Sequence, residues 1–390
     1  MQNFIYNAPT KVFFGKGQIN NLKDILKGYK VKKVLLHYGK GSIKKNGIYD
    51  NVVSQLKEAK IDFIELGGVD ANPKLNLALE GVKIAKKENV DLILAVGGGS
   101  VLDSAKLIAA GAKVDFNPWL FSLHEKQPTD HIPVGAILTI AASGSDMSNS
   151  CVISNEETKE KRGFTSEENR CLFAILDPET NYTVNKYQTA CGTVDIMMHT
   201  LERYFSDGEE TPLTDNIALG LLKAVKEAGT VVINDPTNYD ARATLLWANS
   251  LSHNGLTSCG RNYVMSVHQL EHELSGMYDS IAHGAGLAVL WPAWAKLAYK
   301  ASINRFARYA YEVMGVEKTN DVEADILRGI EDTKKYFKSL GMPTTLAELG
   351  VSEKDFKALA YNAMFKGKRV LKDIILVDEP MAVKVFEEAK

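Results

Sequence analysis

The sequence has 390 residues, of which 45% are hydrophobic and 24% are charged, so it has enough apolar side chains to fill a sizeable folded core. Its length exceeds that of most single domains and predicts two. The formal net charge of −2 gives no general attraction to nucleic acid or to anionic lipid, so we expect a small-molecule partner, no nucleic acid and no membrane. The four cysteines form no CxxC pair and the N-terminus lacks a secretory signal pattern, so we expect a cytoplasmic protein.

The first half of the chain alternates β-rich runs with amphipathic segments, a pattern typical of βαβ units on a parallel sheet. The runs VLLHY and LILAV are almost wholly apolar, which indicates strands covered by helices on both faces. In chain order we predict strands over residues 31–37, 61–66, 91–96 and 132–138, and helices over 48–59, 75–88 and 101–112.

Beyond Asp177-Pro178 the apolar residues recur at helical spacing and few β-branched runs remain. The helices predicted there cover residues 188–205, 214–230, 239–257, 263–275, 284–299 and 304–314. The sequence therefore predicts an α/β protein with a Rossmann-like parallel-sheet domain over residues 1–184 and an all-helical domain over 185–390. We expect the active site in the cleft between these domains.

Two turns rich in small residues follow predicted strands of the first domain. Gly97-Gly98-Gly99-Ser100 ends one strand and opens a helix, and a second turn runs from Thr139 to Asp146. Glycines in such a turn let backbone N–H groups approach a pyrophosphate, which the helix N-terminus also attracts. The triple glycine alone is a weak signal because it is not GxGxxG. Together, the two turns favour a nucleotide site. Asp103, one turn into the helix, is either a first-turn acid or a cofactor or substrate contact, and we predict it as a catalytic residue.

Metal-capable side chains cluster in the second half of the sequence. Asp195 and His199 are spaced i, i+4 on a predicted helix, so both can reach one ion, and His268 and His272 repeat that spacing. With His283 they make five candidates for about four ligand positions, and spacing does not decide whether His272 or His283 is the extra one. His37, His124, His131 and His253 have no such partners in the sequence, and we interpret them as structural or surface residues.

Several long motifs in the same order resemble the iron-containing, or group III, alcohol dehydrogenases, in the branch of bacterial butanol dehydrogenases and broad aldehyde reductases. The resemblance covers most of the chain. It rests on Pro9-Thr10-Lys11, Phe14-Gly15-Lys16-Gly17, Tyr38 to Lys44, GGGSVLDSAK at 97–106, Asp177-Pro178, GTVDIMMHTLE at 192–202, HQLEHELSGMYD at 268–279 and HGAGLAVL at 283–290.

The resemblance implies a metal held by Asp195, His199, His268 and His283. It places His272 beside the open coordination position and the nicotinamide, where it helps to shape the substrate site or passes protons. Implied cofactor contacts are Gly97, Gly98, Gly99, Ser100, Asp103, Thr139, Ser143, Ser145, Lys161 and Thr183. The second turn reads ASGSDM where many relatives have Thr-Gly-Ser-Glu, which affects the fine geometry at the cofactor. A homodimer is also implied.

The loop after the first predicted strand, Gly39-Lys40-Gly41-Ser42, bears on the choice of cofactor. NAD-specific Rossmann enzymes usually carry an acid there that binds the ribose 2′-hydroxyl, and this loop has none. We therefore expect a preference for NADP(H), with Lys40 or Ser42 contacting the 2′-phosphate and NAD(H) as the alternative. Imidazole and carboxylate ligands suit Fe²⁺, our first expectation, and also Zn²⁺.

The expected function is hydride transfer between the nicotinamide and a small primary alcohol or aldehyde, such as butanol or butanal. A glycerol-type polyol dehydrogenase or a related lyase on the same fold is one alternative. Met197, Met198, Trp247 and Met277 near the ligand motifs favour an apolar pocket over one that binds several hydroxyls, although each is also a common core residue. An alternative of another class is a non-catalytic nucleotide-binding module.

Overall fold

The computed structural model describes residues 1–208 and 210–390, and these form two compact units. The α/β unit comprises Ala8–Val184 and Pro236–Ser250, and the helical unit comprises Met1–Asn7, Asn185–Asp235 and Leu251–Lys390. The main boundary between the two units lies after Val184. Two short segments, Met1–Asn7 and Pro236–Ser250, do not follow this boundary, because each of them packs with the unit on the other side of it in the sequence. A single boundary for independently folding domains stays a prediction.

The α/β unit contains one parallel sheet and one antiparallel hairpin. Its strands are β1 (Lys11–Phe14), β2 (Lys33–Gly39), β3 (Asp62–Val69), β4 (Leu92–Gly97), β5 (Val134–Leu138), β6 (Ser150–Asn155), β7 (Glu160–Thr165) and β8 (Phe173–Leu176). Strands β2 to β5 confirm the four predicted strands. Strands β1 and β8 were not predicted from the sequence, because runs of four residues are too short for periodicity to identify. The hairpin of β6 and β7 was not predicted either.

The six-stranded sheet has the order β1-β8-β5-β4-β2-β3, and every neighbouring pair is parallel. Between β3 and β4 the chain crosses back over β2, so the direction in which strands are added reverses between β2 and β4. Ligands of open α/β sheets bind beyond the carboxyl ends of the strands at such a reversal. The loops that begin at Gly39 and Gly97 therefore lie where a nucleotide is expected.

Helices cover both faces of this sheet, which explains why its strands are almost wholly apolar. Alternate residues of one strand enter different cores: Leu35 packs with the helices on one face, and Val34 and Leu36 pack with those on the other. The helices of the α/β unit are α1 (Leu22–Gly28), α2 (Ser42–Lys45), α3 (Ile48–Ala59), α4 (Leu75–Glu88), α5 (Gly99–Gly111) and α6 (Trp119–Ser122). The predicted helices are thus present as α3, α4 and α5.

The first helix of the helical unit begins at a side-chain cap, because Asn185 accepts a hydrogen bond from the Gln188 N–H at 2.8 Å. Its helices are α7 (Lys186–Tyr204), α8 (Pro212–Asn234), α9 (Tyr239–His253), α10 (Ser266–Met277), α11 (His283–Ala298), α12 (Ile303–Tyr309), α13 (Val322–Ser339), α14 (Phe356–Ala363) and α15 (Glu379–Glu388), with α9 shared between the units. A short hairpin, β9 (Leu371–Lys372) and β10 (Leu376–Val377), precedes α15.

Two of the predicted helices have boundaries that are displaced by a residue with positive φ. Helix α9 ends at His253 rather than at residue 257, and Gly255 just beyond it has a φ of 99°, which a continuing helix does not allow. Helix α10 begins at Ser266 rather than at 263, after Met265 with a φ of 57°. Among the described residues, no helix combines the length and the apolar character needed to cross a membrane.

Candidate active site

The first glycine turn connects β4 to α5 without space for side chains. Gly97 ends β4, and α5 begins at Gly99. A Cβ atom on Gly98 would overlap the Ile140 side chain, and one on Gly99 would overlap Ser143. The two turns predicted from the sequence therefore pack directly against each other. The N-terminus of α5, whose first N–H groups have no partner within the helix, opens from this turn.

The second turn is held by two asparagines that the sequence analysis missed. The Asn249 side-chain oxygen accepts from the N–H groups of Ala142 and Gly144, both at 2.8 Å. Asn181 accepts from the Ala141 N–H at 3.0 Å. These N–H groups are thus satisfied by the protein, so the second turn offers a ligand fewer backbone donors than its sequence indicates. No sequence signal connects Asn249 to a turn about 100 residues away.

Asp103 lies on α5 with hydrogen bonds at both carboxylate oxygens. Ser145 donates its hydroxyl to Asp103 at 2.6 Å, and the Val152 N–H donates at 3.0 Å. Burial raises the pKa of Asp103, against the opposing influence of Lys106, of these hydrogen bonds and of Lys161. Asp103 thus joins α5, the second turn and β6, and its catalytic role stays a prediction. Lys161, on β7, is buried, and Thr139 donates its N–H to the Gly97 oxygen at 3.0 Å.

The loop after β2 contains an ion pair that the sequence did not reveal. Lys40 contacts the Asp70 carboxylate just beyond β3, although the Lys40 side chain is 70% exposed. An acid therefore does lie beside this loop, because neighbouring strands bring together residues that are 30 positions apart. Gly41, with a φ of 131°, turns the chain into α2, which begins at Ser42.

A pocket of about 220 Å³ is lined in part by residues that follow α2 and β8. Asn46, just beyond α2, lines it, and so does Thr183, whose hydroxyl lies 3.1 Å from the Asn46 amide group. The predicted cofactor contact Thr183 is thus beside a cavity, at the same edge of the sheet as the glycine turns.

In the helical unit, three helices bring the metal-capable side chains together. Helix α7 carries Asp195 and His199, α10 carries His268 and His272, and α11 begins at His283. Nitrogen atoms of three histidines surround one Asp195 carboxylate oxygen: His199 at 3.4 Å, His268 at 3.6 Å and His283 at 3.8 Å. Donor atoms that share a first-row cation with bonds of about 2.1 Å lie roughly 3.0–3.5 Å apart. The spacing suits a bound cation.

The hydrogen bonding of the buried polar atoms in this cluster also indicates a bound cation. The Oδ1 atom of Asp195, Nδ1 of His199 and Nε2 of His268 are buried and have no hydrogen-bond partner. Buried polar groups almost always have a hydrogen-bond partner, and burying three polar atoms that have none costs free energy. A divalent cation would satisfy all three, so these residues fit the metal that the sequence predicts.

The site is closed on one side and accessible on the other. The Asp195, His199 and His268 side chains are at most 7% exposed, whereas His283 is 25% exposed. The His272 ring stacks on the His283 ring at a centroid distance of 5.5 Å. Asp195, His199 and His268 form one tight group, and His272 groups instead with His283 and Glu271. His272 thus lies at the accessible side, and the four-ligand set stays a prediction.

Two buried glutamates behind the histidines were missed in the sequence analysis. Glu202 contacts Nδ1 of His268, and Glu271 contacts Nδ1 of His283. Burial of His268 opposes its protonation, but the Glu202 and Asp195 carboxylates prevail and raise the His268 pKa to about 9. Glu202 follows His199 by one turn of α7, but that spacing does not indicate its contact with His268, which is 66 residues away in the sequence.

His253 is also closer to this cluster than its sequence position indicated. Its ring lies 4.1 Å from the His199 ring, centroid to centroid. Burial lowers the His199 pKa well below its ordinary value, and His253 lowers it further. His37 is structural as predicted: its ring contacts the Leu66 oxygen at 2.7 Å and Ser104 at 2.9 Å, and burial lowers its pKa to about 4. His131 pairs with Glu168 at 2.6 Å.

Glycines of the HGAG motif allow α11 to approach the other two helices. A Cβ on Gly284 would overlap the backbone of Cys191 on α7, and a Cβ on Gly286 would lie 2.8 Å from the Glu271 side chain on α10. The motif thus positions His283 at the point where α7, α10 and α11 meet. Met197 and Met198 are fully buried core residues, and Trp247 packs on Phe14 within the α/β unit, so these three give no support to an apolar substrate pocket.

Comparisons with known proteins identify the family of this chain. The model of the iron-containing alcohol dehydrogenase family matches residues 9–178, and the model of that family's C-terminal domain matches residues 189–387. The NADH-dependent butanol dehydrogenase A of Clostridium acetobutylicum is 40% identical over 390 residues, covering 100% of both chains. The NADPH-dependent aldehyde reductase of Escherichia coli is 34% identical over 393 residues, also covering 100% of both.

A solved structure shows the same fold over the whole chain. The crystal structure of NADH-dependent butanol dehydrogenase A from Thermotoga maritima superposes with a TM-score of 0.96 at 38% identity and covers 100% of this chain and 99% of its own. The family models and the full-length relatives set aside a non-catalytic nucleotide-binding module. The chain therefore belongs to the iron-containing alcohol dehydrogenase family, and it is an oxidoreductase that uses a nicotinamide cofactor and a metal.

Proposed function

We propose that this enzyme transfers hydride between a nicotinamide and a small primary alcohol or aldehyde, with butanol and butanal as the first candidates. The observation that carries the proposal is the convergence of His199, His268 and His283 on one Asp195 oxygen, with His283 the most exposed of these four side chains. The names of the relatives, butanol dehydrogenase and aldehyde reductase, support the substrate class. A glycerol-type polyol dehydrogenase is the weaker alternative.

Asp195, His199, His268 and His283 are the proposed ligands, with Fe²⁺ as the first candidate and Zn²⁺ as the second. A divalent cation there supplies a Lewis acid that polarises the oxygen of the aldehyde or alcohol. The accessible edge beside His283 admits the substrate. His272, stacked on His283, is positioned to shape the substrate site and to pass a proton between its ring nitrogen and the substrate oxygen or solvent.

The proposed cofactor site is the α/β unit at the β2 and β4 strand ends. The first turn, Gly97 to Ser100, binds the pyrophosphate at the N-terminus of α5. Thr139, Ser143, Ser145, Lys161 and Thr183 complete the proposed contacts, and Asp103 acts at this site through its bond to Ser145.

We propose a preference for NADP(H), with Lys40 or Ser42 binding the 2′-phosphate beside Gly39 and Gly41. NAD(H) is a second candidate that one specific observation favours. Asp70 contacts Lys40, so it both neutralises the proposed phosphate ligand and offers an acceptor to a ribose hydroxyl. The relatives include enzymes named for each cofactor.

The deciding experiment is a panel of aldehydes and alcohols assayed with NADPH and NADH on protein reconstituted with Fe²⁺ or Zn²⁺. We expect the highest kcat/KM for a short-chain aldehyde with NADPH. His268→Ala should lose both the metal and turnover. Full turnover by a metal-free His268→Ala variant would overturn the metal-dependent mechanism, and a higher kcat/KM with NADH would overturn the cofactor preference.

We also propose a homodimer located in the cytoplasm, which the family resemblance supports. Light scattering on the purified protein tests the oligomeric state, because a mass equal to one chain contradicts a dimer.

A further inference from the structure

We propose that Glu202 and Glu271 are positioning residues that each fix one metal-binding imidazole, so that Nδ1 donates to the glutamate and the lone pair of Nε2 faces the cation. This inference rests on the proposed metal site. The two glutamates are not among the four proposed ligands. They differ in whether they also stabilise the metal-free protein.

The first contact joins Glu202 on α7 to His268 on α10. The Glu202 side chain is 1% exposed and touches Nδ1 of His268. The Nε2 atom of that ring is the one that faces Asp195 at 3.6 Å and has no hydrogen-bond partner. One ring nitrogen is thus occupied by a carboxylate, and the opposite one is directed at the proposed cation.

The second contact repeats this arrangement between α10 and α11. The Glu271 side chain on α10 is fully buried and touches Nδ1 of His283 at the start of α11. The Nε2 atom of His283 faces the same Asp195 oxygen at 3.8 Å. Two independent glutamate–imidazole pairs that aim at one point are hard to explain by packing alone, because each buries a carboxylate.

Imidazole chemistry explains what the glutamates do. A neutral imidazole has one protonated nitrogen, so a carboxylate that accepts from Nδ1–H leaves Nε2 unprotonated and able to bind a cation. The carboxylate also makes the ring a stronger ligand and holds its orientation. Loss of such a partner typically weakens metal affinity about 10–100-fold.

The two glutamates differ in what else they hold. Glu202 also accepts from the backbone N–H groups of Val267, at 2.6 Å, and of His268, so it satisfies the N-terminus of α10. Gly286 packs closely against Glu271, and Glu271 contacts the more exposed of the two histidines. Removal of the Glu202 charge should therefore lower both metal affinity and the stability of the metal-free protein, whereas removal of the Glu271 charge should act mainly on the metal.

The test measures metal binding rather than turnover. Metal-free wild type, Glu202→Gln and Glu271→Gln are titrated with Zn²⁺ in competition with a chromophoric chelator, and the visible spectrum of the Co²⁺-loaded protein reports the coordination geometry. We expect each variant to bind Zn²⁺ about 10–100-fold more weakly and to show an altered Co²⁺ spectrum. Thermal unfolding of the metal-free proteins should show a larger loss for Glu202→Gln than for Glu271→Gln.

The matched control is Asp325→Asn. Asp325 is a buried carboxylate of the helical unit that accepts from Thr319 and Tyr311 rather than from an imidazole. The Asp325→Asn variant should bind Zn²⁺ with an affinity within about twofold of wild type. Glu271→Asp is the second variant, because it keeps the charge while it withdraws the carboxylate from His283, and it should give an intermediate affinity in a folded protein.

The outcomes separate this inference from the proposed function. Wild-type Zn²⁺ affinity in both glutamine variants would overturn the positioning roles while leaving the four-ligand site intact. Failure of the wild type itself to bind Zn²⁺ or Co²⁺ would count against the metal site, and with it the proposed function. Weakened binding in both variants with an unchanged control supports the inference whatever substrate the enzyme uses.

Discussion

Asn249 donates its amide to the Asp146 carboxylate at 2.9 Å while its oxygen accepts from the second turn. Asp146 also accepts from the Ser250 hydroxyl, and burial raises the Asp146 pKa against these hydrogen bonds. The orientation of the Asn249 amide is thereby fixed from one side, so its oxygen must face the turn. A residue of helix α9 thus shapes the cofactor side of the α/β unit.

Asn249→Ala should weaken cofactor binding by about tenfold. The substitution leaves the N–H groups of Ala142 and Gly144 without their acceptor, and an unsatisfied buried group costs about 1–3 kcal/mol. Fluorescence titration with NADPH measures the change in Kd. Asp240→Ala, at an exposed position of the same helix, should bind as wild type does. Equal affinity in Asn249→Ala and wild type would contradict the positioning role.

Gly99→Ala should lose more than tenfold in cofactor affinity, because the new Cβ overlaps Ser143 and forces the two turns apart. Overpacking of this kind typically costs about 1–3 kcal/mol. The second substitution Ser143→Gly removes the overlapping atoms, so the double variant should recover part of the loss. Calorimetric titration of the four proteins gives the coupling. Additive effects would show that the two turns do not interfere.

Substitutions at the Lys40–Asp70 pair should shift the cofactor preference in opposite directions. Asp70→Asn frees Lys40 for a 2′-phosphate and removes an acceptor for the ribose, so the ratio of kcat/KM for NADPH to that for NADH should rise. Lys40→Ala should lower that ratio. Each change should be severalfold, because exposed charge pairs contribute about 0–1 kcal/mol. An unchanged ratio in both variants would place the discrimination elsewhere.

Deprotonation of Asp373 should lower the free energy of unfolding as the pH rises towards the pKa of this residue in the folded state. Burial, together with the nearby Glu202, raises that pKa from 3.8 to about 6, although Ser266 donates its hydroxyl at 2.8 Å. Between these two pH values the folded state retains a proton that the unfolded state has lost, so stability decreases with increasing pH. The shift corresponds to at most about 3 kcal/mol.

Asp373→Asn removes this titration and keeps an acceptor for Ser266. Relative to wild type, the variant should therefore gain stability between pH 4 and pH 7, as measured by denaturant unfolding at each pH. Asp321→Asn neutralises an exposed capping carboxylate of the same unit and should show no such gain. A constant difference between Asp373→Asn and wild type over this range would refute the assignment.

The sequence was sufficient for the features that depend on local pattern. Period and composition identified β2 to β5 and most long helices, since apolar runs and helical spacing are local signals. The i, i+4 spacing placed Asp195 and His199 on one face of α7, and two glycine turns after buried strands marked the cofactor side. Five metal-capable residues were found in this way, but their spacing left His272 and His283 equivalent.

Tertiary structure decided which residues meet across long separations in the chain. It separated His272 from the group of Asp195, His199 and His268, and it placed Glu202 and Glu271 behind two imidazoles. It also brought Asn249 to the second turn and Asp70 to Lys40. None of these contacts has a local signal, because a carboxylate or an amide has the same appearance in a sequence whether it faces solvent or a partner about 100 residues away. The packing of helices and the register of parallel strands determine the partner, and both are properties of the whole fold.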